Sequence, residues 1–196
     1  MEKYYPVMLR VENKLCTVIG GGNVAARKIN GLLGAGARVR VVAPEISESI
    51  IRLLSGGADI EIIKRAYVPS DIKGSFVVIA AADDKNVNGA VLRDAAENGV
   101  LAMSADGRGD FINGAVKREG QITMQVSTGV PALSRRICRG VRLDGYDAAA
   151  KILAKYRKKL GRGGYEALLS EQAVRLAAED AEAYERLAES AAAGTI

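Results

Sequence analysis

The chain has 196 residues, 48% of them hydrophobic and 26% charged, with 28 Lys and Arg against 23 Asp and Glu. That balance belongs to a globular protein with one full domain and a smaller appendage. No apolar run approaches the roughly 20 residues that cross a bilayer, and the opening Met-Glu-Lys-Tyr-Tyr-Pro lacks a signal-peptide core, so the expectation is a cytoplasmic protein without a membrane partner.

Residues 4–9 read as an extended lead-in. Leu15 to Ile19 is a short apolar, partly β-branched run, long enough for one buried strand. It breaks at Gly20-Gly21-Gly22, after which Ala25, Ile29, Leu32 and Leu33 recur at helical spacing. Strand, glycine turn and helix form the first unit of a dinucleotide-binding fold. Gly20 allows the tight turn and Gly22 lets the backbone approach a pyrophosphate. Ala25 fills the small third position of G-x-G-x-x-G/A. Backbone N–H groups at the helix start, around Asn23 and Val24, then face the phosphates.

Gly34 to Ala37 stops that helix, and residues 38–43 read as the second strand. An acid near its end commonly bonds the adenosine ribose. Ala43 occupies the strand end, followed by Pro44 and Glu45. Glu45 is the candidate ribose ligand, with a solvated helix-start acid as the alternative. Residues 46–54 read as a helix closed by Gly56-Gly57, and 60–63 as a third strand. Residues 76–81 form a wholly apolar fourth strand, expected to be covered on both faces. Asp83-Asp84 follows at its carboxyl end, where these acids either cap the helix over 86–98 or meet a ligand. Residues 100–103 begin a fifth strand. Asp106 sits just past it on the glycine-rich loop Ser104-Ala-Asp-Gly-Arg-Gly-Asp-Phe111, beside the expected nicotinamide position. It reads as a catalytic carboxylate or as a turn-forming aspartate.

Residues 121–127 alternate strictly, with Ile122, Met124 and Val126 on one face, unlike the buried strands before them. They suggest a small half-exposed sheet that is unstable alone and pairs across a homodimer. A helix over 131–139 opens with Pro131 and carries Arg135, Arg136 and Arg139. A basic helix over 148–160, a break at 161–164 and a long final helix complete the chain. In the last of these Leu169, Ala173, Leu176, Tyr184, Leu187 and Ala191 form an apolar packing stripe. The expected architecture is therefore α/β. A doubly wound parallel-sheet (Rossmann) domain over 1–113 precedes a small α+β dimerisation segment over 114–146 and a helical region over 147–196.

The chain has no histidine, which removes the commonest metal ligand and the usual neutral-pH proton shuttle. Acid–base chemistry falls to carboxylates, lysine, tyrosine or cysteine, and no resident metal is expected. Cys16 and Cys138 form no metal-spaced pair and read as packing residues in a reducing compartment. Charge is unevenly spread. Residues 114–163 hold 12 basic and 3 acidic side chains, whereas 164–196 hold 2 and 7. The basic block is expected to attract polyanions. It lacks interleaved stacking residues, so nucleic acid is not favoured over a multiply carboxylated small molecule.

With these residues in hand, the chain resembles the precorrin-2 dehydrogenase / sirohydrochlorin ferrochelatase family, the amino-terminal module of siroheme synthases. The resemblance runs through Tyr5-Pro6, residues 18–28, residues 34–45, residues 79–84 with Asn88, Val126-Ser-Thr-Gly129 and residues 131–137. It implies an NAD-binding domain, a homodimer and oxidation of precorrin-2 to sirohydrochlorin, with Asp106 as general base. It also implies binding of the substrate's carboxylates by Ser127, Thr128, Arg135, Arg136 and Arg139. Part of that family also inserts iron, so Fe2+ is a second candidate substrate. Ala82 replaces a threonine often found in the family. Two loops, between Asp106 and Phe111 and between Gly129 and Pro131, are shorter here than in that family, and both departures bear on iron insertion. A non-catalytic NAD-sensing module that uses the same glycine turn is the alternative reading.

Overall fold

The computed structural model describes residues 4–194; the Met-Glu-Lys start lies outside them. The chain divides into two compact units, Met1–Ile112 and Asn113–Ile196.

The first unit is built on five parallel strands in the order β3-β2-β1-β4-β5. These are β1 (Leu15–Ile19), β2 (Arg38–Val42), β3 (Ile60–Ile63), β4 (Val77–Ala80) and β5 (Leu101–Ser104). The pairing is in register, with Cys16 opposite both Val39 and Val77. Helices α1 (Asn23–Leu33), α2 (Glu48–Ser55) and α3 (Lys85–Glu97) make the crossovers. One apolar layer joins Val18, Val39, Val41 and Ile79 to Ala25, Ile29 and Ile50. A second layer sets Ile19, Val42, Val78 and Ala80 against Ile72, Val91 and Ala95. The sheet is thus covered on both faces, as its near-continuous apolar strands require. All of β4 is buried, between β1 and β5. The one polar group inside β1, the Thr17 hydroxyl, pairs with Ser75 Oγ at 2.6 Å. Residues 4–10 have no regular structure, and Tyr5, Val7 and Met8 are exposed.

The second unit opens with a hairpin, β6 (Ala115–Glu119) and β7 (Ile122–Val126), paired antiparallel. The strand read over 121–127 therefore finds its first partner within its own chain. That partner, β6, was not foreseen, because Ala115-Val-Lys-Arg-Glu119 carries charge on both faces. Asp147 ties the hairpin tip to the second helix that follows it, accepting the Gln121 N–H at 2.7 Å. Helix α4 (Pro131–Gly140) follows, then α5 (Tyr146–Tyr156), which starts and ends earlier than the span 148–160.

The long final helix is instead three pieces, α6 (Arg162–Leu168), α7 (Glu171–Glu179) and α8 (Ala181–Ala192). Ser170 and Asp180 break it, each turning its side chain back to cap the following helix through Ala173 N–H and Ala183 N–H. Gly163 and Gly164, read as part of a break, lie inside α6. The folded-back helices enclose Tyr156, Leu168, Ala177, Tyr184 and Ala188. Tyr184 is wholly buried and donates its hydroxyl to the Leu168 carbonyl at 2.9 Å. Leu169, assigned to the apolar stripe, is exposed, and its neighbour Leu168 takes the core position. The acidic end meets the basic helix: Lys155 of α5 pairs with Glu185 of α8, and Tyr156 donates to Glu189. Among the described residues no helix is long and apolar enough to cross a membrane.

Candidate active site

Four loops leave the carboxyl ends of β1, β2, β4 and β5, and backbone contacts tie them together. Gly20 has a φ of +128°, and its N–H donates to Val42 O of the neighbouring strand at 2.9 Å. A Cβ there would overlap the carbonyl of Ala81, and one on Gly21 would overlap the carbonyl of Glu45. Both glycines are needed for close approach between loops. Gly22 differs: a Cβ on it would meet nothing within 4 Å. It is the N-cap of α1, no side chain caps that helix, and no acid stands in its first turn. The first amides of α1, from Asn23 and Val24, are thus left for an anionic ligand. Ala25 is wholly buried against the sheet, the packing its small size was expected to serve.

The loop after β2 leans on the same turn, with Ser47 N–H donating to Gly21 O at 2.8 Å. Ala43 is buried, while Pro44 and Glu45 are exposed beside the glycines. After β4, Asp84 caps α3 through Asn86 N–H at 2.7 Å, so it takes the helix-capping role. Asn88, buried in α3, accepts the Ala82 N–H at 2.9 Å and donates to the Ala82 carbonyl at 2.8 Å. It thereby fixes the loop on which Gly20 packs. Sequence reasoning gave Asn88 no role. Its signal was a polar residue on a helix face otherwise formed by Val91 and Ala95.

The loop after β5 folds back on its own strand. Ser104 N–H donates to Arg108 O at 2.7 Å, and Ala105 N–H reaches Ala80 O of β4 at 2.8 Å. Asp110 accepts the Ala102 N–H at 2.9 Å, and Gly109, at φ +121°, lies against Ala102. This closes the free edge of β5 and holds Asp106 at the carboxyl end of the sheet. The Asp106 carboxylate meets Arg108: Oδ2 accepts from Nε at 3.0 Å and lies 2.8 Å from the outer guanidinium nitrogen. The Arg108 guanidinium, and then the nearby Ser104 hydroxyl, hold this carboxyl down to about 2. Ser104 Oγ itself is buried and makes no hydrogen bond of normal geometry. The Arg108 contact was not anticipated, although an aspartate and an arginine on either side of one glycine was its visible trace.

The remaining candidates lie in the second unit. Arg135, Arg136 and Arg139 are exposed on α4 and make no ion pair among the described residues. Ser127 is exposed after β7. The Thr128 hydroxyl lies 2.9 Å from Ser134 Oγ and donates to the Val130 carbonyl at 3.0 Å, so it helps to shape the start of α4. No cluster of three or more acidic or cysteine side chains suited to a metal occurs among the described residues.

A glycine turn opening onto an uncapped helix, at the carboxyl edge of a doubly wound sheet, defines a dinucleotide-binding domain. A family model described as "Putative NAD(P)-binding" matches residues 7–115. The chain belongs to this NAD(P)-binding family, and it is similar to the siroheme synthases. It is 33% identical over 164 residues to the siroheme synthase of Chromobacterium violaceum, covering 79% of this chain and 34% of that protein. It is 32% identical over 167 residues to that of Nitrosococcus oceani, covering 81% and 35%. The chain thus spans about a third of the length of these relatives. Among solved structures, SirC, described as a precorrin-2 dehydrogenase, has the same fold, with a TM-score of 0.75 at 23% identity over 95% of this chain and 99% of that one.

Proposed function

We propose that the protein oxidises precorrin-2 to sirohydrochlorin with NAD, a step of siroheme synthesis. The observation that carries this reading is that Asp106 and the open glycine turn stand at the same end of one sheet. NAD, when bound, supplies the hydride acceptor. The amides of Asn23 and Val24, with Gly22 leaving room, hold its pyrophosphate, and Glu45 reaches for the ribose. Loss of a hydride leaves the macrocycle cationic, and it must then shed a proton. In a chain without histidine, the Asp106 carboxylate is the base that takes it. The exposed arginines of α4, Arg135, Arg136 and Arg139, suit the substrate's carboxylates.

The protein is also proposed to act as a homodimer. The β6–β7 sheet has a free edge on each strand. Val116, Val130, Leu133 and Ile137 are exposed on the hairpin and α4, and a second copy would cover them.

The test is to incubate the protein with precorrin-2 and NAD and follow sirohydrochlorin by its absorbance. Asp106→Asn is expected to lower the rate by about 100-fold or more. NAD binding without turnover would favour the sensing module instead. Ferrous ion added to sirohydrochlorin in the same protein tests iron insertion.

A further inference from the structure

A carboxylate meant to accept a proton is held here by the partner that most opposes it. Arg108 contacts Asp106 twice through its side chain, and its own N–H reaches Oδ1 at 3.3 Å. The pair is not buried: the two side chains are 41% and 54% exposed, so a ligand arriving at this loop can reach both. An exposed pair of this kind changes an equilibrium by only a factor of about 2–5. The loop does not depend on it, since Ser104, Ala105 and Asp110 already anchor the backbone to β4 and β5. What the arrangement does present is a guanidinium fork at the sheet's carboxyl edge, matched in shape to a carboxylate.

We propose that Arg108 is the receptor for one peripheral carboxylate of the tetrapyrrole, and that it surrenders Asp106 when that carboxylate arrives. This rests on the precorrin-2 reading above. The guanidinium edge formed by Nε and the outer nitrogen serves either Asp106 or the incoming group. A polycarboxylate substrate brings several charges at once and outcompetes a single solvent-screened contact. Asp106 is then more basic with substrate present than without it. A ligand without peripheral carboxylates leaves it tied, so Arg108 is a positioning residue that also selects the class of substrate.

The test is a double-mutant cycle on the full chain, with sirohydrochlorin affinity as the readout and KM for precorrin-2 beside it. Arg108→Gln is expected to weaken sirohydrochlorin binding and raise KM, each by about tenfold. Arg108→Lys, which keeps the charge but not the fork, recovers only part. Asp106→Asn is expected to tighten binding. That gain shrinks by a factor of about 2–5 when Arg108 is already Gln, because no pair remains to be released. Equal gains in both backgrounds, or wild-type affinity in Arg108→Gln, would overturn the proposal and leave the pair as a brace of the turn. A parallel loss of NAD affinity in both Arg108 variants would overturn it too, by tracing the effect to a collapsed loop. Wild-type protein that neither oxidises precorrin-2 nor binds its product would remove the functional reading itself, an outcome distinct from the others.

Discussion

Asp106 titrates against a guanidinium, a hydroxyl and a backbone N–H, and its carboxyl sits at about 2. The sign follows directly. A folded-state pKa below the unfolded value contributes stability above about pH 3.9, and that contribution is lost as pH falls through about 2. Because both side chains are substantially exposed, the amount is small. Titration of the Asp106 carboxyl carbon by NMR is expected to centre below the ordinary carboxylate range in the free protein. In Arg108→Gln it should move up toward the ordinary carboxylate range. The glycines separate in the same way. Gly20→Ala forces a strained φ and a clash with Ala81, costing about 1–3 kcal/mol or more of stability. Gly22→Asp meets open space and supplies a good N-cap. It should leave thermal stability intact while weakening NAD binding more than about tenfold, by setting a carboxylate against the pyrophosphate. The turn at Gly20 and the close packing of Ala25 were readable because a G-x-G-x-x-A string between strand and helix has few other uses. Arg108 was not, because whether a loop residue turns back on its neighbour is decided by the turn itself.

Among the elements, α3 does more than cover the sheet. Through Asn88 it holds both backbone groups of Ala82, and the Ala82 loop in turn receives Gly20. Asn88→Ala leaves those groups unpaired at a partly buried site, and the expected cost is about 2 kcal/mol. Urea unfolding should show it, with a matching fall in NAD affinity. A variant as stable as wild type would show that the loop holds its place without this clamp. All five parallel strands were visible in sequence, since each is a short, largely apolar run set off by glycine, proline or charged residues. The end of the chain was harder to read. The spacing of Ala173, Leu176, Tyr184 and Ala191 stays helical across the breaks, because Ser170 and Asp180 fall on the polar side of the pattern. A cap is visible in sequence only when the apolar rhythm stops with it. Thr128 carries a related ambiguity: a hydroxyl beside a glycine suits a ligand or a turn equally well, and the contact with Ser134 was not visible in sequence.

For the molecule as a whole, charge and apolar surface point to different partners. The net charge of +5 is concentrated in the basic block, and the acidic final helix neutralises only part of it, through the pairing of Glu185 with Lys155. Arg135, Arg136 and Arg139 stay clear of those acids. A second copy of the chain is the proposed partner for Leu133 and Ile137, which lie one turn apart on α4 and are 46% and 40% exposed. Ile137→Asp should leave the chain folded, since the side chain already meets water over a substantial part of its surface. It should shift sedimentation from dimer toward monomer, and an unchanged dimer would place the interface elsewhere.

The two cysteines divide evenly, Cys16 in β1 of the first unit and Cys138 in α4 of the second. Both are buried, and burial pushes the Cys16 thiol up to about 11. Neither sulfur is reactive while its own surroundings stay closed. Pulses of a maleimide, followed by mass analysis of the two peptides, would therefore time the opening of each half of the chain separately, without any engineered label.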